Sequence, residues 1–254
     1  MKSKKNINVA VTSPKIFPGW LAGNAKAIVD MIKSAVSNET ELILFPEMAL
    51  SGLVVTNNFR RDFAYAVPLD SPYIQEIQTA AKDYEVWVAF GFLERDGLML
   101  YDSAVLIDDE GEIVLHYRRI SRGWVYPDPP PNYGFGDKYP VAETKWGRVG
   151  FLICGDIFDA AHVAAGAKLD IVLCPVACSF DIVYIRPQED WDANYWPDYQ
   201  RQFASIGAIG LMSNYIDKPN LYHGGGFITD KGGQLLAQIP LYEEGFLSGT
   251  ILMK

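Results

Sequence analysis

The chain has 254 residues, 49% hydrophobic and 21% charged, with 31 acidic and 22 basic side chains for a formal charge of −9. That balance is too apolar for a disordered chain, and the length is enough to bury a core without staples. The acidic balance and the lack of a basic run exclude a nucleic-acid or anionic-membrane binder. No apolar run approaches the roughly 20 residues that span a bilayer. The basic start, Met1-Lys-Ser-Lys-Lys-Asn6, precedes an apolar stretch too short and mixed for a signal-peptide core. Cys154, Cys174 and Cys178 are an odd number of cysteines in a long chain, which fits a reducing cytoplasm better than a disulfide framework.

In chain order, Ile7–Thr12 reads as a β-branched first strand. A helix follows, with Ala25, Ile28, Val29, Ile32, Ala35 and Val36 recurring at helical spacing. Glu41–Phe45 is a short apolar strand cut off by Pro46. Ser71-Pro72 starts a second helix, with Ser as N-cap and Pro at the first helical position. Val86–Leu93, Leu98–Ile107 and Ile113–Tyr117 form a run of strands joined by turns at Asp96-Gly97 and Asp108–Gly111. Arg122–Pro140 holds five of the 15 prolines and reads as a long irregular loop of the kind that often binds. Arg148–Cys154 and Asp170–Cys174 are apolar strands flanking an alanine-rich helix. A second loop is expected over 175–192, then a helix near Asn194–Ala208, a strand Ile209–Asn214, Gly224-Gly-Gly226, and short strands to Leu252. The alternation predicts an α/β fold with mixed sheets, a single domain over 1–254, and a two-sheet layered sandwich.

Three predicted strands end in reactive groups. Leu42–Phe45 leads to Glu47, Ile113–Tyr117 to Arg118-Arg119, and Phe151–Ile153 to Cys154-Gly155-Asp156. Sites in α/β sheets gather beyond the carboxyl ends of strands, so a carboxylate, a guanidinium and a thiol are expected to converge. A cysteine after an apolar run is more often a small buried hydrophobe than a nucleophile. Here Gly155 would let the backbone turn sharply and aim its N–H at a developing oxyanion. Glu47, among Phe45, Met48, Ala49 and Leu50, sits where a carboxyl becomes a stronger base. Cys174 and Cys178 read as structural.

These motifs resemble the nitrilase superfamily, the carbon–nitrogen hydrolases, along essentially the whole chain. Phe45-Pro-Glu47-Met-Ala-Leu-Ser-Gly52 matches its glutamate motif and Gly150-Phe-Leu-Ile-Cys154-Gly-Asp156 its cysteine motif. Ser213-Asn214 and Gly224–Gly233 match its closing pattern. The resemblance implies a four-layer α-β-β-α sandwich, a homodimer or higher homo-oligomer, no cofactor, and a Glu–Lys–Cys triad acting through a thioester. Its substrates would be small amides, carbamoyl compounds or nitriles. By position Glu47 is the base, Cys154 the nucleophile and the Gly155 N–H an oxyanion donor.

The chain departs from that pattern at the lysine. The family strand ends in Tyr-Arg-Lys, whereas this one reads Tyr117-Arg118-Arg119. Arg119 could stabilise an oxyanion but, keeping its proton at ordinary pH, could not shuttle one. Lys138 in the following loop is a conceivable substitute. The second glutamate often found before the cysteine strand is missing, and Asp128 is a possible shorter stand-in. A rival reading follows: a nitrilase-fold protein with lost or altered catalysis that binds a ligand or partner.

Other constellations are weaker. His116, His162 and His223 are far apart, so no metal site is expected. Gly224–Gly226 lacks the lysine and strand–helix order of a phosphate loop. Trp124, Tyr126, Tyr133, Trp191, Tyr195 and Trp196 cluster near the two loops, as a ring-lined pocket or as ordinary core.

Overall fold

The computed structural model describes residues 6–180 and 186–253; most of the basic start and the middle of the second predicted loop lie outside the described residues. The first half of the chain runs β1 (Asn6–Ser13), α1 (Leu21–Val36), β2 (Leu42–Leu44), α2 (Phe59–Phe63), α3 (Pro72–Asp83), β3 (Trp87–Asp96), β4 (Met99–Ile107) and β5 (Ile113–Arg118). The second half begins with β6 (Ala142–Thr144), β7 (Gly147–Phe151), α4 (Asp156–Asp159), α5 (Ala161–Gly166), β8 (Ile171–Pro175), α6 (Pro187–Asn194) and α7 (Trp196–Ile206). It closes with β9 (Ile209–Ser213), the short pair β10 (Ile216–Asp217) and β11 (Tyr222–His223), then β12 (Gly226–Thr229), β13 (Leu235–Ile239) and β14 (Gly245–Leu252).

Two six-stranded mixed sheets result, in the orders β14-β1-β2-β3-β4-β5 and β13-β12-β9-β8-β7-β6. Each has a parallel centre, β1-β2-β3 and β7-β8-β9, with antiparallel flanks. The central strands are covered on both faces, which is why Leu42–Leu44 and Ile171–Pro175 are continuous apolar runs. Side chains alternate across each sheet. Val9, Val11, Leu42 and Leu44 of one meet Phe151, Ile171, Leu173 and Leu211 of the other in a core between the sheets. The opposite faces of the first sheet, including Ala10, Ile43, Val88 and Phe90, pack on Ile28 and Ile32 of α1 and Ile74 and Ile77 of α3. Val172, Cys174 and Met212 of the second pack on Ala164 of α5 and Tyr199 and Phe203 of α7. The architecture is therefore the four-layer α-β-β-α sandwich.

Local chemistry explains where elements start and stop. Ser71 Oγ accepts the Ile74 N–H at 3.3 Å and Pro72 opens α3, as its sequence predicts. The helix expected near 194–208 is instead two helices, and it starts earlier than read. Pro197 has no N–H to donate and disfavours helical geometry in the residue before it, so the chain breaks around Tyr195 and resumes as α7. The second loop is correspondingly shorter than 175–192.

Polar ties cross between the sheets beside the carboxyl ends of their parallel strands. Ser213 Oγ donates to the Leu44 carbonyl at 2.7 Å and accepts from the Thr12 N–H at 3.0 Å. Gly225 N–H donates to Ser13 Oγ at 3.0 Å.

A second buried polar cluster holds the meander of β3, β4 and β5. Glu94 accepts Ser103 Oγ at 2.5 Å, pairs with His116 Nε2 at 3.0 Å, and takes both Arg118 Nε at 2.9 Å and Nη2 at 2.6 Å. Burial pushes the Glu94 carboxyl up, but His116, Arg118 and Ser103 together outweigh it and hold it at about 2 instead of 4.5. A carboxyl lowered on folding contributes stability above its unfolded value and loses it as pH falls through the folded one. Urea unfolding should therefore show up to about 3 kcal/mol of stability disappearing between pH ~4.5 and ~2, and Glu94→Gln should remove that part of the pH dependence. An unchanged pH slope in the variant would refute this account of the cluster.

Candidate active site

The carboxyl ends of β2 and β5 in one sheet face those of β7 and β8 in the other. Pairing continues one residue past β2, where the Phe45 N–H donates to the Ala89 carbonyl at 2.7 Å, and then Pro46 ends the ladder. The chain carrying Glu47 crosses directly over β3 at Gly91. A Cβ on Gly91 would lie 2.6 Å from Glu47 Cα and 2.8 Å from the Met48 nitrogen, so only glycine admits this crossing. Cys154 follows β7 with φ +47°, in the left-handed region that a non-glycine residue occupies only where its surroundings force it. Its N–H donates to the Pro175 carbonyl at 2.9 Å, tying the turn to the end of β8.

Arg119, just past β5, is 3% exposed, and Glu47 is 1% exposed. Arg119 Nη1 donates to Glu47 Oε1 at 2.7 Å and lies 3.3 Å from Asp102 Oδ2, while Nε donates to Ser121 Oγ at 2.8 Å. Its Nη2 stands 2.6 Å from where a Cβ of Gly155 would be and 2.9 Å from that of Gly123. The second oxygen of Glu47 accepts the Ala177 N–H at 2.6 Å. The loop bearing Ala177 is pinned in turn by Asn214, whose Oδ1 accepts the Cys178 N–H at 3.1 Å and whose Nδ2 donates to the Cys178 carbonyl at 3.0 Å.

Asp156 locks the two sheets together under this site. One oxygen accepts the N–H groups of Ile120 (3.2 Å) and Ser121 (2.7 Å), and the other accepts Tyr117 Oη (2.7 Å) and the Ile153 N–H (3.2 Å). The residues flanking Arg119 and Cys154 thus hang on a single carboxyl.

The electrostatics follow from burial. Cys154 is half-buried. Burial, then the Glu47 carboxylate, pushes its thiol well up, against a downward pull from Arg119. The resting sulfur is a thiol, which needs a base to become a nucleophile. Arg119 itself is raised: burial opposes its charge, but Glu47, Cys154 and Asp102 outweigh that cost. It remains a guanidinium at any ordinary pH.

Glu47, Arg119, Cys154 and Gly155 thus come together. Asp128 does not join them; it is exposed in the proline-rich loop with φ +53°. Lys138 is also exposed, lining a cavity of about 510 Å³ with Tyr101, His116, Arg118 and Phe135. Trp124, Tyr133, Trp191 and Trp196 are buried in packing. Among the described residues no group of three or more His, Cys, Asp or Glu side chains is placed to hold a metal ion, and no helix is long and apolar enough to cross a membrane. Sequence reasoning missed Asp102, the second carboxyl on Arg119. Within β4 only its own polarity, next to Ser103, marks it.

The carbon-nitrogen hydrolase family model matches residues 8–254. The chain belongs to that family. A cyanide hydratase of Gibberella zeae is 31% identical over 191 residues, covering 66% of this chain and 51% of that protein, so this chain spans about half the relative's length. A citrullinase of Francisella tularensis is 28% identical over 265 residues, covering 96% of this chain and 88% of the relative. An amidase from Nesterenkonia sp. shares the fold with a TM-score of 0.81 at 17% identity, covering 99% of this chain and 92% of that one. A mutant of that amidase carries the acetamide moiety of fluoroacetamide added covalently at its active-site cysteine.

The crossing at Gly91 offers a test of how tightly this family member positions its glutamate. Gly91→Ala forces backbone against backbone and should cost about 1–3 kcal/mol in denaturant unfolding. The same variant should lose Cys154 reactivity toward alkylating amides, because Glu47 is displaced. Unaltered Cys154 alkylation would show that the glutamate has no part in activating it.

Proposed function

We propose that this carbon–nitrogen hydrolase cleaves a small amide or carbamoyl substrate through a thioester on Cys154. The observation that carries the reading is the 2.7 Å pair between Glu47 and Arg119, buried beside a cysteine held in a left-handed turn. Glu47 takes the thiol proton as the sulfur bonds to the carbonyl carbon, and the C=O π pair moves onto oxygen. That oxyanion is met by Arg119 Nη2 and the Gly155 N–H. The intermediate then collapses, the C–N bond breaks, and Glu47 hands its proton to the departing nitrogen. Water, losing a proton to Glu47, attacks the thioester; the acid leaves and the proton returns to sulfur. A guanidinium never gives up its proton, so all proton traffic runs through Glu47.

The citrullinase likeness, over 96% of this chain, supports a carbamoyl or amide substrate, while the cyanide hydratase likeness, over 66% of it, speaks for a nitrile. The rival reading, a binding protein without turnover, draws on one feature: both Glu47 oxygens are already engaged, by Arg119 and by the Ala177 N–H.

Intact-mass spectrometry separates the two. Exposure to fluoroacetamide, and to a panel of simple amides and carbamoyl compounds, should add one acyl or acetamide group to the wild-type chain and none to Cys154→Ala. Arg119→Met, which deletes an oxyanion donor while keeping the volume apolar, should slow amide turnover about 100- to 1000-fold. A wild-type chain that stays unmodified across the panel would favour the binding protein.

A further inference from the structure

The proposed cycle gives no task to Asp102, a buried ionisable side chain close to the reacting groups. Asp102 lies in β4, directly across from the end of β5, where its backbone carbonyl accepts the Arg119 N–H at 2.8 Å. The residue is 1% exposed. Oδ2 is 3.3 Å from Arg119 Nη1, the nitrogen that also donates to Glu47 Oε1 at 2.7 Å. Oδ1 is buried and has no hydrogen-bond partner among the described residues.

Count the charge in this volume. One guanidinium faces two carboxyls, Glu47 from the loop after β2 and Asp102 from β4. The third nearby acid, Asp156 at the start of α4, is satisfied by its own four donors. One cation cannot neutralise two carboxylates out of water, and two acids in contact relieve the imbalance by holding a proton between them. A buried acid oxygen beside another acid, with no donor from the chain, is where such a pair carries its proton.

We propose that Asp102 and Glu47 share one proton across the Arg119 guanidinium, which makes Asp102 a positioning residue for the base. This rests on the reading of Glu47 as the base and adds a member to the site. Burial, then the Glu47 carboxylate, drives the Asp102 carboxyl well upward, against the pull of Arg119. The resting site then sums to zero: one shared negative charge, one guanidinium, one neutral thiol. When Glu47 accepts the thiol proton, the pair holds two protons, and it returns to one when nitrogen leaves. Asp102 keeps its own throughout and donates to Glu47 whenever Glu47 is ionised. Loss of the shared proton at high pH places a second negative charge next to Cys154 and suppresses its ionisation.

Difference infrared spectroscopy on the whole chain at neutral pH tests this without relying on turnover. Wild type minus Asp102→Asn should show the C=O stretch of a protonated, buried carboxylic acid that shifts in D2O. Glu47→Gln should lose the same band although residue 102 is intact, because Asp102 then has Arg119 to itself and ionises. A difference spectrum with only ionised-carboxylate bands, or a band that persists in Glu47→Gln, overturns the shared proton. In parallel, the pH profile of Cys154 alkylation should show two ionisations in wild type, the loss of the shared proton lowering the rate at high pH, and only one in Asp102→Asn, an effect that simple loosening of the fold does not produce. Identical profile shapes would also overturn it. If Cys154 never acylates but the infrared band behaves as stated, the functional reading fails and the proton pair stands.

Discussion

A guanidinium sealed away from water governs this site. Taking a charge out of water costs several kcal/mol even after relaxation, so Arg119 can be 3% exposed only because acids come with it. Those acids arrive from different places: Glu47 from beyond β2 and Asp102 from the neighbouring strand β4. Removing one partner of such a pair leaves an uncompensated buried charge, typically worth about 3–5 kcal/mol. Each acid therefore adds to the stability of the arrangement, and Glu47 on Arg119 binds the loop after β2 to the end of β5.

The sandwich explains how that set meets a sulfur from the other sheet. β2 and β5 end on the same side of one sheet, β7 and β8 on the facing side of the other. What remains is to fix the distance between them, and Asp156 does this by accepting donors from both Tyr117–Ser121 and Ile153. It sits two residues beyond Cys154, so the turn carrying the sulfur and the anchor that sets its depth are one unit. Ser213 and Asn214 do the same for the loop after β8. The left-handed backbone at Cys154 is held by this network of neighbours; nothing in its own sequence favours it.

Much of this was legible in the chain because the signals were local. Apolar runs too continuous for a half-exposed strand, such as Leu42–Leu44, identify buried parallel strands, and the reactive residues lie within a few positions of where those runs stop. Tyr195-Trp196-Pro197 was misread because one proline splits a helix that the apolar spacing alone would carry through. Asp102 was missed for a different reason. Its polarity looks like ordinary alternation along β4, and its meaning depends on which residue the sheet register sets opposite, Arg119, which no pattern within β4 records. Asp128 was attractive only through its place in a loop, and loop positions say little about distance to a site. Residue chemistry near strand ends can be read from sequence; pairing across strands has to be seen.

The space around Arg119 suits a guanidinium. A guanidinium is wider than an ammonium, and the chain gives it room at two glycines, where a Cβ at 123 or 155 would come within 2.9 or 2.6 Å of Nη2. The planar fork then divides its work, as a point charge could not. Nη1 goes to the acids, Nε to Ser121, and Nη2 is left on the side of Gly155 and the sulfur. A lysine in its place would offer one centre to all of these. Asp102, on Nη1 beside Glu47, helps to hold the plane of the guanidinium so that Nη2 stays on the side of Gly155.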